Sequence, residues 1–150
     1  MGKPFTLKEI DTIAALIKKR ADIKPRIGLI LGSGLGELAA SVESPTHIPY
    51  GDLPHWPTST VIGHEGRLVL GTLGGQKVMV MQGRAHYYEG YSMAEVGLPI
   101  RVMQRLEIEI LIVTNAAGAV NPEFEPGEVM LITDHLNMIG MAGATPLRGP

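Results

Sequence analysis

The segment 83–90, whose sequence is Gly-Arg-Ala-His-Tyr-Tyr-Glu-Gly, concentrates side chains that can bind an anion and a sugar. The Arg84 guanidinium offers a planar set of donors that matches the oxygens of a phosphate. In an extended segment His86 and Tyr88 share a face with Arg84, because alternate side chains point the same way. A solvated loop seldom combines these residue types between glycines, so we interpret the segment as a binding site, with an ordinary loop as the alternative.

A glycine-rich turn at 32–36, Gly-Ser-Gly-Leu-Gly, follows a short apolar run. Backbone N–H groups in such a turn can converge on an anion, and a helix that follows adds the positive end of its dipole. The dinucleotide fingerprint requires glycine where this chain has Glu37, and no Lys-Ser or Lys-Thr pair follows as in a P-loop. The sequence predicts either an anion-binding turn that contributes the Ser33 hydroxyl, or a merely tight strand-to-helix turn.

A third segment of small residues, Thr-Asn-Ala-Ala-Gly-Ala at 114–119, follows another apolar run. Ligands of α/β sheets collect at the carboxyl ends of strands. Small residues there let a flat ring or a phosphate approach the main chain, although close packing of a helix on a strand needs them equally. On its own, this segment is a weak indication of a site.

The remaining histidines are less informative. His64, between Gly63 and Glu65, is either a second anion donor or a plain loop residue. His47, His55 and His135 have no partner visible in the sequence. No His-Glu-x-x-His or similar ligand spacing occurs, so we expect no metal site.

These segments must be positioned by helices and strands, and several have clear sequence signals. Thr6 and Glu9 have capping-box spacing before an apolar helical face, and Ser92 and Glu95 repeat that spacing before a helix to about Leu106. Pro99 interrupts the second helix, where we expect a kink or a lost hydrogen bond. Further predicted elements are buried strands at 27–31 and 110–114, a hairpin at 67–82 turning on Gly74-Gly75, a loop at 115–121, a strand at 129–133 and a loop at 140–150.

Strands that alternate with helices but include a hairpin predict an α/β fold with a mixed sheet flanked by helices. Nineteen Gly and 11 Pro in 150 residues indicate many tight turns, since 45% hydrophobic content argues against disorder. The chain has no Cys and a net charge of −2. No signal peptide or membrane span is predicted, and the basic residues of 1–26 lack the interleaved aromatics of a nucleic-acid arm. We expect a cytoplasmic protein that binds neither membrane nor nucleic acid.

Taken together and in order, the motifs LGSGLG at 31–36, GRAHYYEG at 83–90 and TNAAG at 114–118 resemble trimeric purine nucleoside phosphorylases. The stretch TDHLN at 133–137 matches as well, and the resemblance runs from the first helix to the last residue. The related methylthioadenosine phosphorylases share the glycine turn but differ at the Arg-His-Tyr segment. One departure is Ala119, where the family commonly has glycine.

The resemblance implies reversible phosphorolysis of purine (deoxy)ribonucleosides to free purine and (deoxy)ribose 1-phosphate. It implies phosphate as a co-substrate and no cofactor, and a homotrimer as the assembly. The implied roles are phosphate binding by Ser33, His64, Arg84, His86 and the Ala116 N–H, a catalytic role for His86, ribose contact by Tyr88, and a base pocket lined by Ala117 and Gly118.

Members of this family run well past 250 residues, so the resemblance implies that 1–150 is the N-terminal portion of a single, incomplete α/β domain, phosphorylase/hydrolase-like with its C-terminal part missing. We expect exposed sheet and core surface, and no turnover by these 150 residues alone. The alternatives are a methylthioadenosine phosphorylase and a non-catalytic anion- or nucleotide-binding module.

Overall fold

Five strands form one mixed sheet in the computed structural model, which describes residues 3–32, 34–58 and 65–150. The strands among these residues lie in the order β2-β3-β4-β1-β5. Their bounds are β1 Ile27–Ile30, β2 Glu43–Pro49, β3 Arg67–Leu73, β4 Gln76–Gln82 and β5 Ile110–Val113. The predicted α/β class with a mixed sheet is confirmed.

The central strand β1 is parallel to both of its neighbours, β4 and β5. Strand β3 pairs antiparallel with β2 on one side and with β4 on the other. Because β1, β4 and β5 point the same way, the chain leaves all three at the same edge of the sheet. The segments that follow these strands are the three singled out in the sequence.

The β3–β4 hairpin turns on Gly74 and Gly75, as predicted. Their φ angles are +56° and +75°, a conformation that costs glycine little and other residues more. The turn places Leu73 opposite Gln76 and carries the pairing to Arg67 opposite Gln82. The hairpin register therefore delivers Gln82 to the edge where the predicted site lies.

Helices α1 (Leu7–Arg20) and α2 (Met93–Arg105) begin at the predicted capping boxes. Thr6 Oγ1 accepts from the Glu9 N–H at 3.3 Å, and the Glu9 carboxylate accepts from the Thr6 N–H at 2.7 Å. Ser92 and Glu95 repeat this arrangement at the start of α2. Pro99 lies buried inside α2, where its ring nitrogen has no hydrogen to donate.

Apolar side chains cover the sheet on both faces because successive residues of each strand point to opposite sides. One core unites α1 and α2 with alternate strand residues, among them Ile30, Leu68 and Met79. The other contains their neighbours Leu29, Val69 and Val80, together with Ala39 and Val42 after the glycine turn. Two of the strands that end at the site edge, β1 and β4, are therefore packed on both faces.

Several predictions are corrected by the structure. Strand β5 forms where predicted but is not buried: Ile110, Leu111, Ile112 and Val113 are 41–57% exposed, because β5 pairs with β1 on one side only and the described residues cover its side chains only in part. Residues 129–133 form no strand, since they have neither a pairing partner nor burial. The exposed β5 agrees with the expectation that the chain leaves sheet surface open.

Smaller departures concern local helices. The helix that follows the glycine turn is a 3-10 helix, Gly36–Ser41. Residues 140–141, expected in a loop, belong to the short helix α3, Met138–Met141. Strand β2 was not predicted from the sequence, because its residues show no alternating pattern. It pairs with β3, with a register shift between Glu43 and Thr46. None of the helices in the described part of the chain has the length and apolar character needed to cross a membrane.

Candidate functional site

The three segments predicted from the sequence meet at the carboxyl ends of β1, β4 and β5. Arg84, after β4, donates from Nη1 to the Thr114 carbonyl oxygen at 2.5 Å. Gly32, after β1, donates its N–H to the Thr114 hydroxyl at 2.9 Å. Thr114 directly follows β5, so one residue of the third segment contacts both others. Such an edge, where a central parallel strand has neighbours on both sides, is the usual ligand site of α/β sheets.

The glycine turn approaches the end of β5 so closely that Gly32 has no room for a side chain. A Cβ on Gly32 would lie 2.6 Å from the Thr114 carbonyl oxygen and 3.0 Å from the Asn115 Cα. Gly34, two residues on, has φ +86°, a left-handed conformation that favours glycine. The turn closes with the Leu35 N–H donating to the Gly32 carbonyl at 3.2 Å. Ser33, the predicted phosphate ligand, lies outside the described residues.

The main chain that carries Arg84 is anchored in the core. Gly83 has φ +103°, and its carbonyl accepts a 2.6 Å hydrogen bond from the hydroxyl of Tyr50, a fully buried side chain. Burial raises the pKa of this phenol well above its ordinary value, so Tyr50 remains a donor at neutral pH. Ala85 is buried as well. Arg84 therefore projects from a fixed backbone. Besides the donor used on Thr114, its half-buried guanidinium has further N–H donors for which the described residues provide no acceptor.

His86 and Tyr88 come together as a ring stack, but not by the extended geometry expected from the sequence. Tyr87–Glu89 form a 3-10 helix, so the alternation ends at His86. The His86 and Tyr88 rings stack with centroids 4.9 Å apart and planes inclined by 10°. The Glu89 carboxylate accepts the His86 backbone N–H at 2.7 Å and holds the start of this helix. Tyr88 is 76% exposed and can contact a ligand above the site.

The small residues after Thr114 lie in an exposed loop. The Asn115 side-chain amide donates to the Ala116 carbonyl at 3.2 Å, and the Ala116 N–H has no acceptor among the described residues. Ala117 and Gly118 are exposed, and no described hydrogen bond joins them to the other site residues. The structure thus places this loop at the site edge without closing a pocket around it.

Of the other histidines, the three that the structure describes do not join this site. His64 lies outside the described residues. His47 is on β2, the far edge strand, His55 lies with its ring 5.6 Å from that of Phe5, and His135 is in the exposed segment after residue 128. In the described ranges no group of three or more His, Cys, Asp or Glu side chains is placed to hold a metal ion.

Two polar side chains at the site escaped the sequence reasoning, Gln82 and the Thr114 hydroxyl. Gln82 is only 8% exposed; its Nε2 donates to the Gly36 carbonyl at 3.0 Å, and its Oε1 accepts from Arg67 Nε at 2.8 Å. The available signal was a polar residue ending an apolar strand pattern. That signal indicates that the apolar surroundings of the strand end at Gln82, but it does not reveal which groups Gln82 contacts.

A cavity of about 690 Å³ borders the 3-10 helix that carries Tyr88 and includes Tyr87 of that helix in its lining. Its lining residues come from the chain ends and the start of α2: Pro4, Tyr87, Gly90, Tyr91, Ser92, Met93, Ala94, Glu95, Ala144, Thr145, Pro146 and Arg148. None of the predicted phosphate ligands that the structure describes lines it. The convergence of donors at the strand ends is therefore the better guide to the functional site.

The family model of the phosphorylase superfamily matches residues 26–150. The chain belongs to the phosphorylase superfamily. Purine nucleoside phosphorylase 1 of Bacillus subtilis is 57% identical to this superfamily member over 141 residues, which are 94% of this chain and 51% of the relative.

Solved structures agree. Isoform 2 of the Schistosoma mansoni purine nucleoside phosphorylase, in complex with cytosine and ribose-1-phosphate, superposes with a TM-score of 0.87 at 44% identity, over 97% of this chain and 51% of that one. A schistosoma purine nucleoside phosphorylase in complex with hypoxanthine gives 0.88 at 43% identity, over 99% and 52%. The chain thus spans about half the length of these relatives. They support the purine nucleoside interpretation and not the methylthioadenosine or non-catalytic alternatives.

Proposed function

We propose that the complete protein carrying this sequence is a purine nucleoside phosphorylase, a pentosyltransferase that uses inorganic phosphate. The observation that carries the proposal is the contact of both donor segments, Gly32 and Arg84, with Thr114 at the carboxyl ends of three parallel strands. The relatives support the substrate class, since their structures hold a purine base in one case and ribose-1-phosphate in another.

In the proposed reaction, a phosphate oxygen attacks C1′ of the nucleoside while the glycosidic bond breaks. The new bond joins phosphate to the sugar, and the electron pair of the broken bond leaves with the purine, which takes up a proton. Positive charge builds on the sugar as the bond breaks, so the phosphate dianion is both nucleophile and counter-charge. The protein must hold that dianion with donors already in place, an arrangement that stabilises a transition state by several kcal/mol in other enzymes.

The residues of this chain divide into phosphate, ribose and base contacts. We assign the phosphate to Ser33, His64, Arg84, His86 and the Ala116 N–H. The fixed backbone of Arg84 and the unused Ala116 N–H support this assignment. His86 is the catalytic histidine of the proposal, and Tyr88, stacked on it, contacts the ribose. Ala117 and Gly118 line the base pocket in this proposal.

A single assay tests the function. The complete protein is mixed with inosine, and purine release is measured with and without phosphate. Release that depends on phosphate and yields ribose 1-phosphate is expected, whereas phosphate-independent release would identify a hydrolase and overturn the proposal. Arg84→Ala should weaken phosphate binding far more than base binding, and Arg105→Ala, which removes an exposed ion pair with Asp11 on α1, is the matched control.

Assembly and location are part of the proposal. We propose a homotrimer in the cytoplasm, supported by the resemblance to trimeric phosphorylases, and no cofactor besides the phosphate co-substrate. Sedimentation equilibrium of the complete protein measures the assembly, and a monomer or dimer at micromolar concentration would contradict it.

A further inference from the structure

The glycine turn at 32–36 is held at both ends by side chains from neighbouring strands. At its start, the Gly32 N–H donates to Thr114 Oγ1 at 2.9 Å. At its end, the Gly36 carbonyl accepts from Gln82 Nε2 at 3.0 Å. Anchors at both ends restrict the direction in which the Gly34 N–H between them can point. An anion-binding turn can bind its ligand only when its backbone N–H groups point towards that ligand.

Thr114 uses all of its polar groups on the site. Its hydroxyl accepts from Gly32 and donates to the Ile30 carbonyl at 3.1 Å, and its own carbonyl accepts from Arg84. The same residue therefore holds the start of the glycine turn and the guanidinium. Thr114, at the end of β5, therefore fixes the distance between the glycine turn and the Arg84 guanidinium, both of which can donate to an anion.

Apart from the aromatic Tyr50 and Trp56, Gln82 is the buried polar side chain among the residues described, with 8% of its surface exposed. Burying an amide costs free energy unless it is hydrogen-bonded, so the hydrogen bonds of the Gln82 side chain must offset the cost of its burial. Arg67 can only donate, and its Nε contact fixes the Gln82 oxygen on its own side. The amide nitrogen is thereby directed at the Gly36 carbonyl.

We propose that Gln82 and Thr114 are positioning residues of the phosphate site, which aim the glycine turn and Arg84 at the anion without touching it. The inference rests on the proposed function for the identity of the anion. It predicts that losing either contact weakens phosphate use and leaves nucleoside use nearly unchanged. A merely structural role would lower stability without separating the two substrates.

The first test changes the Thr114 hydroxyl in the complete protein. Thr114→Val removes the hydroxyl at nearly constant shape, and Thr114→Ser keeps it. We expect Thr114→Val to raise the KM for phosphate about fivefold to tenfold, in the range of one lost hydrogen bond, with the KM for inosine within about twofold. Thr114→Ser should stay near the unmodified protein. Thr72→Val on β3 is the matched control, since the Thr72 hydroxyl has no partner among the described residues.

The second test reverses one contact of Gln82. Gln82→Glu keeps an acceptor for Arg67 but places a carboxylate oxygen against the Gly36 carbonyl, where a donor is needed. We expect the KM for phosphate to rise about tenfold or more, again with the KM for inosine nearly unchanged. If Thr114→Val fails to fold, this variant decides the matter by the same measurement.

Two results would overturn the inference: an unchanged phosphate KM in both Thr114→Val and Gln82→Glu, or an equal rise in the KM values of both substrates. Failure of the proposed function is seen separately, as absence of phosphate-dependent inosine cleavage by the unmodified protein. In that event, calorimetric titration with inorganic phosphate decides. Weaker binding by the two variants supports the positioning role, whereas equal binding by all proteins, or none by the unmodified one, refutes it.

Discussion

Adding one methyl group to Gly32 should damage both stability and phosphate use. The new Cβ would lie 2.6 Å from the Thr114 carbonyl oxygen and 3.0 Å from the Asn115 Cα. Both are backbone atoms, so no side-chain rotation relieves the contact. Since Cβ atoms essentially never approach other heavy atoms closer than 3.0 Å, the backbone at Gly32 and the backbone at Thr114 must move apart by at least 0.4 Å. That separation opposes the pairing of Ile30 with Val113 at the ends of β1 and β5.

The magnitude follows from the kind of neighbour. Overpacking a well-packed site costs about 1–3 kcal/mol, and backbone neighbours place Gly32→Ala near the upper end. At about 2–4 °C per kcal/mol, the midpoint of thermal unfolding should fall by about 6–12 °C. Arg84 is held on the same Thr114 carbonyl, and a displacement near 1 Å at a reacting site can cost about a hundredfold. We expect kcat/KM for phosphate to fall about tenfold to a hundredfold.

Gly36→Ala is the matched control within the same turn. A Cβ there meets no atom of the described residues within 4 Å. Thermal unfolding and phosphate-saturation kinetics of the complete protein measure both variants. An unchanged unfolding midpoint and unchanged phosphate kinetics in Gly32→Ala would refute the reasoning, as would an equal loss in Gly36→Ala.

Three further predictions concern stability and use thermal unfolding. Tyr50→Phe should cost about 1–2 kcal/mol, because the Gly83 carbonyl loses its donor. Since burial raises the Tyr50 pKa, its contribution is complete below pH about 10 and is lost at higher pH, so the variant should show less alkaline destabilisation. Gly75→Val should cost about 1–2 kcal/mol, because φ is +75° there, and Gly75→Asn should cost less. The hydrogen bond from the Thr6 backbone N–H lowers the pKa of Glu9, so the stability that Glu9 contributes is present above pH about 4.3 and is lost on acidification. Glu9→Gln should therefore make the unfolding midpoint depend less on pH in the acid range. An unchanged acid dependence would contradict this prediction.

Local signals in this chain could be interpreted correctly without the structure. The capping boxes at Thr6 and Ser92 depend on residues three positions apart, and the hairpin turn depends on two adjacent glycines. Interactions of such short range are nearly complete within the segment that encodes them. Both helices and the hairpin therefore form where they were predicted.

Burial could not be predicted as well, because it depends on what covers an element. Strand β5 has the apolar composition of a buried strand, yet Val113 is 57% exposed. Residues 129–133 have the composition of a strand and no partner to pair with. An apolar pattern predicts a tendency to pair and be covered, while the neighbouring chain decides whether either happens.

By itself, the sequence determined which segments we propose to carry the chemistry: the glycine turn, Arg84 with its aromatic neighbours, and the small residues after Thr114. Only the tertiary structure decided how they meet, through β1 lying parallel between β4 and β5. The same holds for Thr114, whose hydroxyl binds Gly32 across 82 positions of sequence. Residue type reveals what a side chain can bind, whereas a contact at that separation exists only once the sheet has brought the two strands together.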